Sequence, residues 1–481
     1  LPPPEIRGDK PMNPPLFQII PYQRESTHYF EAVADRPWAV WLDSGCPGTQ
    51  QGRFDIIAAH PMATLVCRGS DTEISTVAGT TGSQADPFRL LRTVLGDPNP
   101  AAGEIPFAGG AIGYFGYDLA RRLERLPVIA RDDVAMAEMA VGIYDWALVV
   151  DHQKQQSCLV GQGRDPQTRK QWEQLIRLFS QAPAEAPRPP FRIQGEVTSN
   201  LTREQYARAF ARIQAYIREG DCYQVNFAQR FTARCEGDPW RAYRTLRAVN
   251  PAPFGAYLNL PEGQILCSSP ERFLKVTGDE VETRPIKGTR PRAAEPDEDR
   301  RLAAELQESA KDRAENLMIV DLLRNDLGKS CEPGSIRVPR LFEVESFASV
   351  HHLVSTVTGR LAPGRDPIEL LRGCFPGGSI TGAPKLRAME IIEELEPNRR
   401  GVYCGVIGYL GFDRRMDTNI AIRTLVHRQG NLYFSAGGGI VADSDLESEY
   451  RETFQKVSLL RQMLTGVPGE AELTAETRAG R

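Results

Sequence analysis

Residues 282–290 read Glu-Thr-Arg-Pro-Ile-Lys-Gly-Thr-Arg, and they place one lysine, Lys287, after an apolar, strand-like approach and directly before a glycine. A glycine there lets a ligand or a second segment come close to the backbone. A lysine fixed in this way can act through its amine as a nucleophile when its surroundings disfavour the ammonium form. Most lysines at strand ends are simply solvated. The meaning of Lys287 therefore depends on the motifs that surround it.

The chain has 481 residues, 41% hydrophobic and 25% charged, the composition of a globular protein with enough chain for several domains. A formal net charge of −4 gives no basic excess to draw nucleic acid and no polybasic stretch for a membrane surface. No apolar run approaches the roughly 20 residues that span a bilayer. The first residues, Leu1-Pro-Pro-Pro-Glu-Ile-Arg, lack the charged-then-apolar pattern of a secretory signal. Nine cysteines are scattered, with no CxxC pair, so neither a thiolate metal site nor a redox motif is indicated. The expectation is a reduced, cytoplasmic protein.

Residues 1–15 are rich in proline. Region 16–180 is strand-rich, with short apolar runs such as Trp38-Ala-Val-Trp-Leu42 and Ala147-Leu-Val-Val150 between Gly, Pro and Asp turns. Residues 181–195 (QAPAEAPRPPFRIQG) read as a linker. Region 198–465 then alternates helices and strands, starting with a helix that Thr202 and Gln205 open as a capping box. Residues 466–481 read as a flexible tail.

Two stretches carry carboxylates three residues apart: Asp312 and Glu315 in Lys311–Val320, and Glu449 and Glu452 in Asp445–Phe454. Such pairs project from one side of a helix, and converging acids suit Mg²⁺, which takes a few carboxylates and fills its octahedron with water and an anionic substrate. Either stretch alone reads better as a charged face pairing with Arg313 or Lys456. The string Phe375–Lys385 sets glycines and hydroxyls ahead of a helix, where backbone N–H groups can meet an anion, and Gly437–Gly438 sit in a glycine run able to cradle a carboxylate. Glu271, after an apolar strand, suits a partly buried general acid. His351 and His352 lack a third metal ligand at helical spacing.

Seven motifs together resemble one family, the chorismate-utilising enzymes: GDCYQVNFAQR (220–230), SSPERF (268–273), ETRPIKGTRPR (282–292), KDRAENLMIVDLLRNDLG (311–328), HHLVSTV (351–357), FPGGSITGAPKLRAMEIIEELE (375–396) and AGGGIVADSDLESEYRET (436–453). The resemblance implies an α/β (α+β) fold, a four-layer α/β/β/α sandwich with two orthogonally packed, mainly antiparallel sheets drawing on both halves of the chain. The 181–195 segment then becomes an excursion. Within the family, anthranilate-forming members look like PIAGT at the opening motif, whereas members that make 4-amino-4-deoxychorismate look like PIKGT, as here. Hydrating members place a water-activating lysine where this chain has Gln224. The strings FAGGAIGYFGYDLARR (107–122) and AVGIYDWALVVDH (140–152) also resemble the 4-amino-4-deoxychorismate branch.

The resemblance further implies roles. Mg²⁺ is held through Glu315 and Glu452, with Glu449 and Asp312 nearby. Arg423 and Tyr403 grip the enolpyruvyl carboxylate, assisted by Gly437 and Gly438. Lys287 displaces the 4-hydroxyl with a proton from Glu271, and ammonia then displaces the lysine. His352, Ser379, Gln224, Gly288 and Thr289 are active-site neighbours. No Gly-x-Cys-x-Gly glutaminase nucleophile string occurs, so a separate glutamine amidotransferase subunit is the implied ammonia donor. Ser44, Arg53, Pro251 and Phe254 match parts of a tryptophan pocket found in relatives. The competing readings are an anthranilate-forming enzyme and a non-catalytic binding protein on the same fold.

Overall fold

A computed structural model of the chain describes residues 15–45, 52–100, 103–181, 187–347 and 350–465. Two twelve-stranded sheets organise it, and their ladders are antiparallel. Each sheet draws on both halves of the chain. Ala39–Asp43 pairs with Phe254–Leu260 in the first sheet, and Gly110–Phe115 pairs with Val406–Gly411 in the second. The expected pair of large antiparallel sheets with helices is thus the fold observed.

Strand alternation divides the apolar residues between the cores. In Ala39–Asp43 the side chain of Val40 joins Ile56, Ala147, Ile112, Tyr114 and Ile407 in a core fed by both sheets. Its neighbour Trp41 turns the other way, to Phe30, Trp240, Tyr243 and Phe179 under the helices of the first sheet. In the second sheet, Ala111 and Phe115 turn away from Ile112 and meet the helical residues Phe88, Leu91, Val320, Leu371 and Met389. The layers therefore run helices, sheet, sheet, helices.

Six elements position the site: β1 (Gln224–Glu236), β2 (Ile286–Pro291), α1 (Ala310–Gly328), β3 (Val350–Arg360), β4 (Asn431–Ile440) and α2 (Leu446–Thr465). β1 pairs with β4 from Val225↔Ile440 to Arg234↔Asn431 in the first sheet. β2 pairs with β3 in the second, with a register shift between Ile286 and Thr289. Helix α1 begins at Ser309, whose hydroxyl accepts the Asp312 N–H (3.3 Å), and buries Asn316, Ile319, Val320, Leu323 and Leu327.

The Thr202–Gln205 capping box is present in both directions: Gln205 N–H to Thr202 Oγ1 at 3.2 Å and Thr202 N–H to Gln205 Oε1 at 2.8 Å. The linker expectation fails at its C-terminal end. Arg192–Ser199 forms a strand along β1, because Phe191, Ile193 and Val197 have a core to pack against. The proline-rich residues 1–14, part of the linker (182–186) and the tail 466–481 lie outside the described residues. All eight described cysteines are free and buried. Among the described residues, no helix is long and apolar enough to cross a membrane.

One buried ion pair ties β1 to the loop before the next helix. Arg400 donates to Glu396 (2.6 Å), to the Ile380 carbonyl (2.8 Å) and to the Asn226 carbonyl (2.6 Å), with its guanidinium 4.8 Å above the Tyr117 ring. Removing one partner of such a pair strands the other charge. Arg400→Met is expected to lower stability by about 3–5 kcal/mol, measured as a fall in the urea midpoint at unchanged m-value.

Candidate active site

The site forms where the glycine run of β4 meets the first turns of α1 and α2. A Cβ at Gly438 would lie 2.9 Å from Glu449 Oε2 and 3.7 Å from Glu452 Oε1. A Cβ at Gly439 would lie 2.5 Å from Glu315 Oε1 and 2.4 Å from Gln224 Nε2. Two bare backbone positions thus let acids from two helices and an amide from β1 approach one spot. Gln224 is fully buried, and neither of its amide atoms has a hydrogen-bond partner among the described residues. An orphaned amide in a buried place calls for a ligand or ordered water.

The acids differ in electrostatic setting. Burial raises the Glu449 pKa, a shift opposed by the Ser444 hydroxyl (2.7 Å) and reinforced by the Glu452 charge. Burial acts in the same sense on Glu452, but Lys456 at 2.6 Å outweighs it and holds that carboxyl below its usual range. Glu315 faces Lys287 Nζ at 3.4 Å. Asp312 turns aside to Arg290 (3.3 Å), with its Cβ against Gly288. Among the described residues, no three acid, histidine or cysteine side chains stand close enough together to hold an ion. Each glutamate is paired with a lysine and Asp312 with an arginine, and the expected metal set does not converge as it stands. The donor chemistry still fits Mg²⁺: carboxylate oxygens from two helices, an unpartnered amide oxygen and a backbone cleared by glycines.

Lys287 lies on β2 at the register shift. The next residue, Gly288, adopts φ +89°, where a Cβ would press on Leu306 Cδ1 (2.9 Å) and Asp312 Cβ (3.0 Å). The glycine read beside the lysine is therefore required by close packing as well as by its left-handed backbone. Glu271 is buried, and desolvation pushes its pKa up to about 7 against the opposing Ser379 hydroxyl and Lys287 charge. It is an acid able to hold a proton near neutrality.

Across from these groups, Arg423 sits at φ +50°, its carbonyl accepting the Ser268 N–H at 3.0 Å. Its guanidinium has no ion pair or hydrogen bond among the described residues. Burial lowers its pKa and the Glu271 charge opposes the shift. A strained, buried and uncommitted arginine is suited to an incoming carboxylate. His352 bonds Thr289 Oγ1 through Nδ1 (2.9 Å), and its Nε2 is buried without a partner. Burial, then the Arg423 charge, bring its pKa down to about 3, so the imidazole is neutral. Tyr403 is buried beside this segment, the Cys404 N–H bonding the Ala421 carbonyl at 2.9 Å.

The structure thus gathers Lys287, Gly288, Thr289, Glu271, Ser379, Gln224, Glu315, Glu449, Glu452, Arg423, His352, Gly437 and Gly438 around one region. The sequence reading cast Lys456 only as a partner for a helix face. Its Nζ donates to the Gly437 carbonyl (2.9 Å), and its charge is felt at Glu271 and His352. The four-residue step from Glu452 carried that signal. The tryptophan-pocket residues lie elsewhere. Ser44, Arg53 and Phe254 line a cavity of ≈ 260 Å³, and Pro253 stands in its wall where Pro251 was expected. Pro251 lies two residues before Pro253, partly buried. Arg53 is already committed to Asp151 (2.7 Å) and Glu104 (3.1 Å), while Ser44 donates to Asp55 (2.7 Å).

The glycine run separates two kinds of packing. At Gly437 an added Cβ would meet the Phe227 carbonyl oxygen at 2.4 Å, which is backbone of the β1–β4 ladder, whereas at Gly439 it meets the ends of side chains. Gly437→Ala is expected to cost about 1–3 kcal/mol and to lower the thermal unfolding temperature. Gly439→Ala is expected to unfold as the parent does, with Glu315 and Gln224 displaced. Paired circular-dichroism melts check this contrast.

The family model described as chorismate binding enzyme matches residues 39–462. Aminodeoxychorismate synthase component 1 of Salmonella typhimurium is 51% identical over 452 residues, spanning 92% of this chain and 97% of the relative. Anthranilate synthase component 1 of Thermus thermophilus is 40% identical over 443 residues, spanning 90% and 94%. Among solved structures, anthranilate synthase component I from Streptococcus pneumoniae superposes with a TM-score of 0.77 at 32% identity, covering 85% of this chain and 93% of that one. The chain is an enzyme of the chorismate-binding family.

Proposed function

We propose that this enzyme aminates chorismate at ring C4 with ammonia from a glutamine amidotransferase subunit, giving 4-amino-4-deoxychorismate for p-aminobenzoate and folate synthesis. The observation that carries the reading is Lys287 itself, set between Glu315 at 3.4 Å and the buried Glu271, in a site whose arginine is free to take a carboxylate. Relatives at about half identity that bear the name aminodeoxychorismate synthase component 1 support it.

In this reading Arg423 and Tyr403 hold the enolpyruvyl carboxylate, with the Gly437–Gly438 backbone beside it. Glu315, Glu449 and Glu452 hold Mg²⁺, with Asp312 bracing the turn at Gly288. The ion, when bound, offsets the charge of the ring carboxylate. Lys287, in its neutral amine form after giving its ammonium proton to solvent, forms a bond to the ring through its nitrogen as the C4–O bond breaks, and Glu271 gives its proton to the departing hydroxyl, which leaves as water. Ammonia then forms the new C–N bond as the lysine nitrogen leaves. Two displacements divide one hard step. The enolpyruvyl group is retained throughout.

Neutral His352, bonded to Thr289, contributes polarity without repelling the positive charges near it. Gln224 carries no amine or imidazole base to activate water, which keeps ring hydration from competing. The cavity at Ser44, Arg53 and Phe254 is proposed to take tryptophan, and the free buried cysteines accord with a reducing, cytoplasmic setting.

The product decides between the family's branches. Incubation with chorismate, Mg²⁺ and ammonium is expected to yield 4-amino-4-deoxychorismate, and a dominant yield of fluorescent anthranilate would overturn the assignment. Mass spectrometry of the parent with chorismate is expected to find a covalent adduct on Lys287, and Lys287→Ala is expected to abolish it. Because the Glu271 pKa is raised to about 7, its proton is present below that pH and lost above it, so kcat should fall as pH rises through 7. Glu271→Gln should lower kcat by about 10²–10⁴-fold and remove that alkaline limb, read from a pH–rate profile.

A further inference from the structure

Each glutamate gathered at Gly438–Gly439 is matched by a lysine. Lys287 Nζ stands 3.4 Å from Glu315 Oε1, Lys311 Nζ 3.8 Å from Glu449 Oε1 and Lys456 Nζ 2.6 Å from Glu452 Oε1. Only the last pair follows from helical spacing. The other two join different elements: β2 to α1, and α1 to α2. The cluster is therefore charge-balanced within itself. Lys311 is more than half exposed, and its ammonium makes no other ion pair among the described residues.

A divalent ion bound by these oxygens competes with the ammoniums for them. Mg²⁺ needs oxygens at about 2.0–2.1 Å in near-ideal directions, whereas one oxygen of each glutamate now faces a lysine, and the acids do not converge. The like charges also repel, most strongly where water is scarce. Lys287 and Glu315, at 12% and 14% side-chain exposure, are such a place.

We propose that Lys287, Lys311 and Lys456 are built-in counter-ions that a divalent cation must displace, so that ion binding is an exchange of three ammonium pairs for one ion. The exchange draws the three glutamates inward and releases Lys287 from Glu315 toward the substrate. Lys311 then has one role, to hold Glu449 until the ion arrives. This inference rests on the assignment of Glu315, Glu449 and Glu452 as ion ligands given above.

The test is calorimetric titration of Mg²⁺, repeated with Mn²⁺, into the full chain after chelation and without chorismate, so that turnover plays no part. Lys311→Met is expected to bind the ion about two- to fivefold more tightly than the parent, the range of one partly exposed pair. Lys311→Arg should keep the parent affinity, and Lys287→Met should tighten binding more than Lys311→Met does. Arg451, exposed between Glu449 and Glu452 and without an ion pair among the described residues, is the control for bulk charge, and Arg451→Met should leave the affinity near the parent value. Unchanged or weaker binding in Lys311→Met overturns the exchange, as does equal tightening in Arg451→Met. If the parent binds no ion, or Glu452→Gln binds as the parent does, the ligand assignment falls and the exchange with it. If the parent binds and only the lysine variants are silent, the exchange alone falls.

Discussion

The β1–β4 ladder and the three bare positions within it are the constraint on which the site depends. Gly437, Gly438 and Gly439 remain in regular extended pairing with Ala228, Phe227 and Asn226, yet they present no side chains. The ladder supplies rigidity and the glycines supply access, and no other residue type gives both. Because β4 leads almost directly into α2, the same strand also sets the height at which Glu449 and Glu452 arrive. Helix α1 approaches from the second sheet with Glu315. The acid cluster is thus a joint between the two sheets rather than a property of either.

Around that joint the protein keeps charge buried but partnered. Arg400 with Glu396 and Lys385 with Asp326 (2.5 Å) are closed pairs with further carbonyl acceptors. Arg423 is the contrast, a buried guanidinium left uncommitted. Burial without a partner is costly unless a ligand offsets it, and the contrast within one molecule separates structural from functional arginines. His352 shows the same distinction, one nitrogen satisfied by Thr289 and the other orphaned.

Much of this was legible in the sequence for identifiable reasons. The i, i+3 acid pairs, the glycine after Lys287 and the Thr202 cap are local patterns, and local geometry fixed their meaning. What the sequence could not carry was commitment over distance. Asp312 reads as an equal of Glu315, but Arg290 takes it. Lys456 reads as a surface partner for Glu452, but the Gly437 carbonyl turns it inward. Pro251 and Pro253 are indistinguishable in the string Asn250–Phe254 until the fold decides which lines the cavity. The 181–195 stretch looked structureless from its prolines, while Ile193 and Val197 needed an unfilled core edge, invisible locally, to become a strand.

The interleaving of the sheets bears on how the chain reaches its fold. Ala39–Asp43 must pair with Phe254–Leu260, and Gly110–Phe115 with Val406–Gly411. During synthesis each of these strands can pair at once with a local neighbour, Phe54–Ala58 or Met139–Tyr144, but its other edge stays open until the second half emerges. Such non-local pairing slows folding and prolongs the exposure of aggregation-prone edges. The first half of this protein builds five neighbouring strands of each sheet by itself, and each sheet is completed only when the later strands arrive.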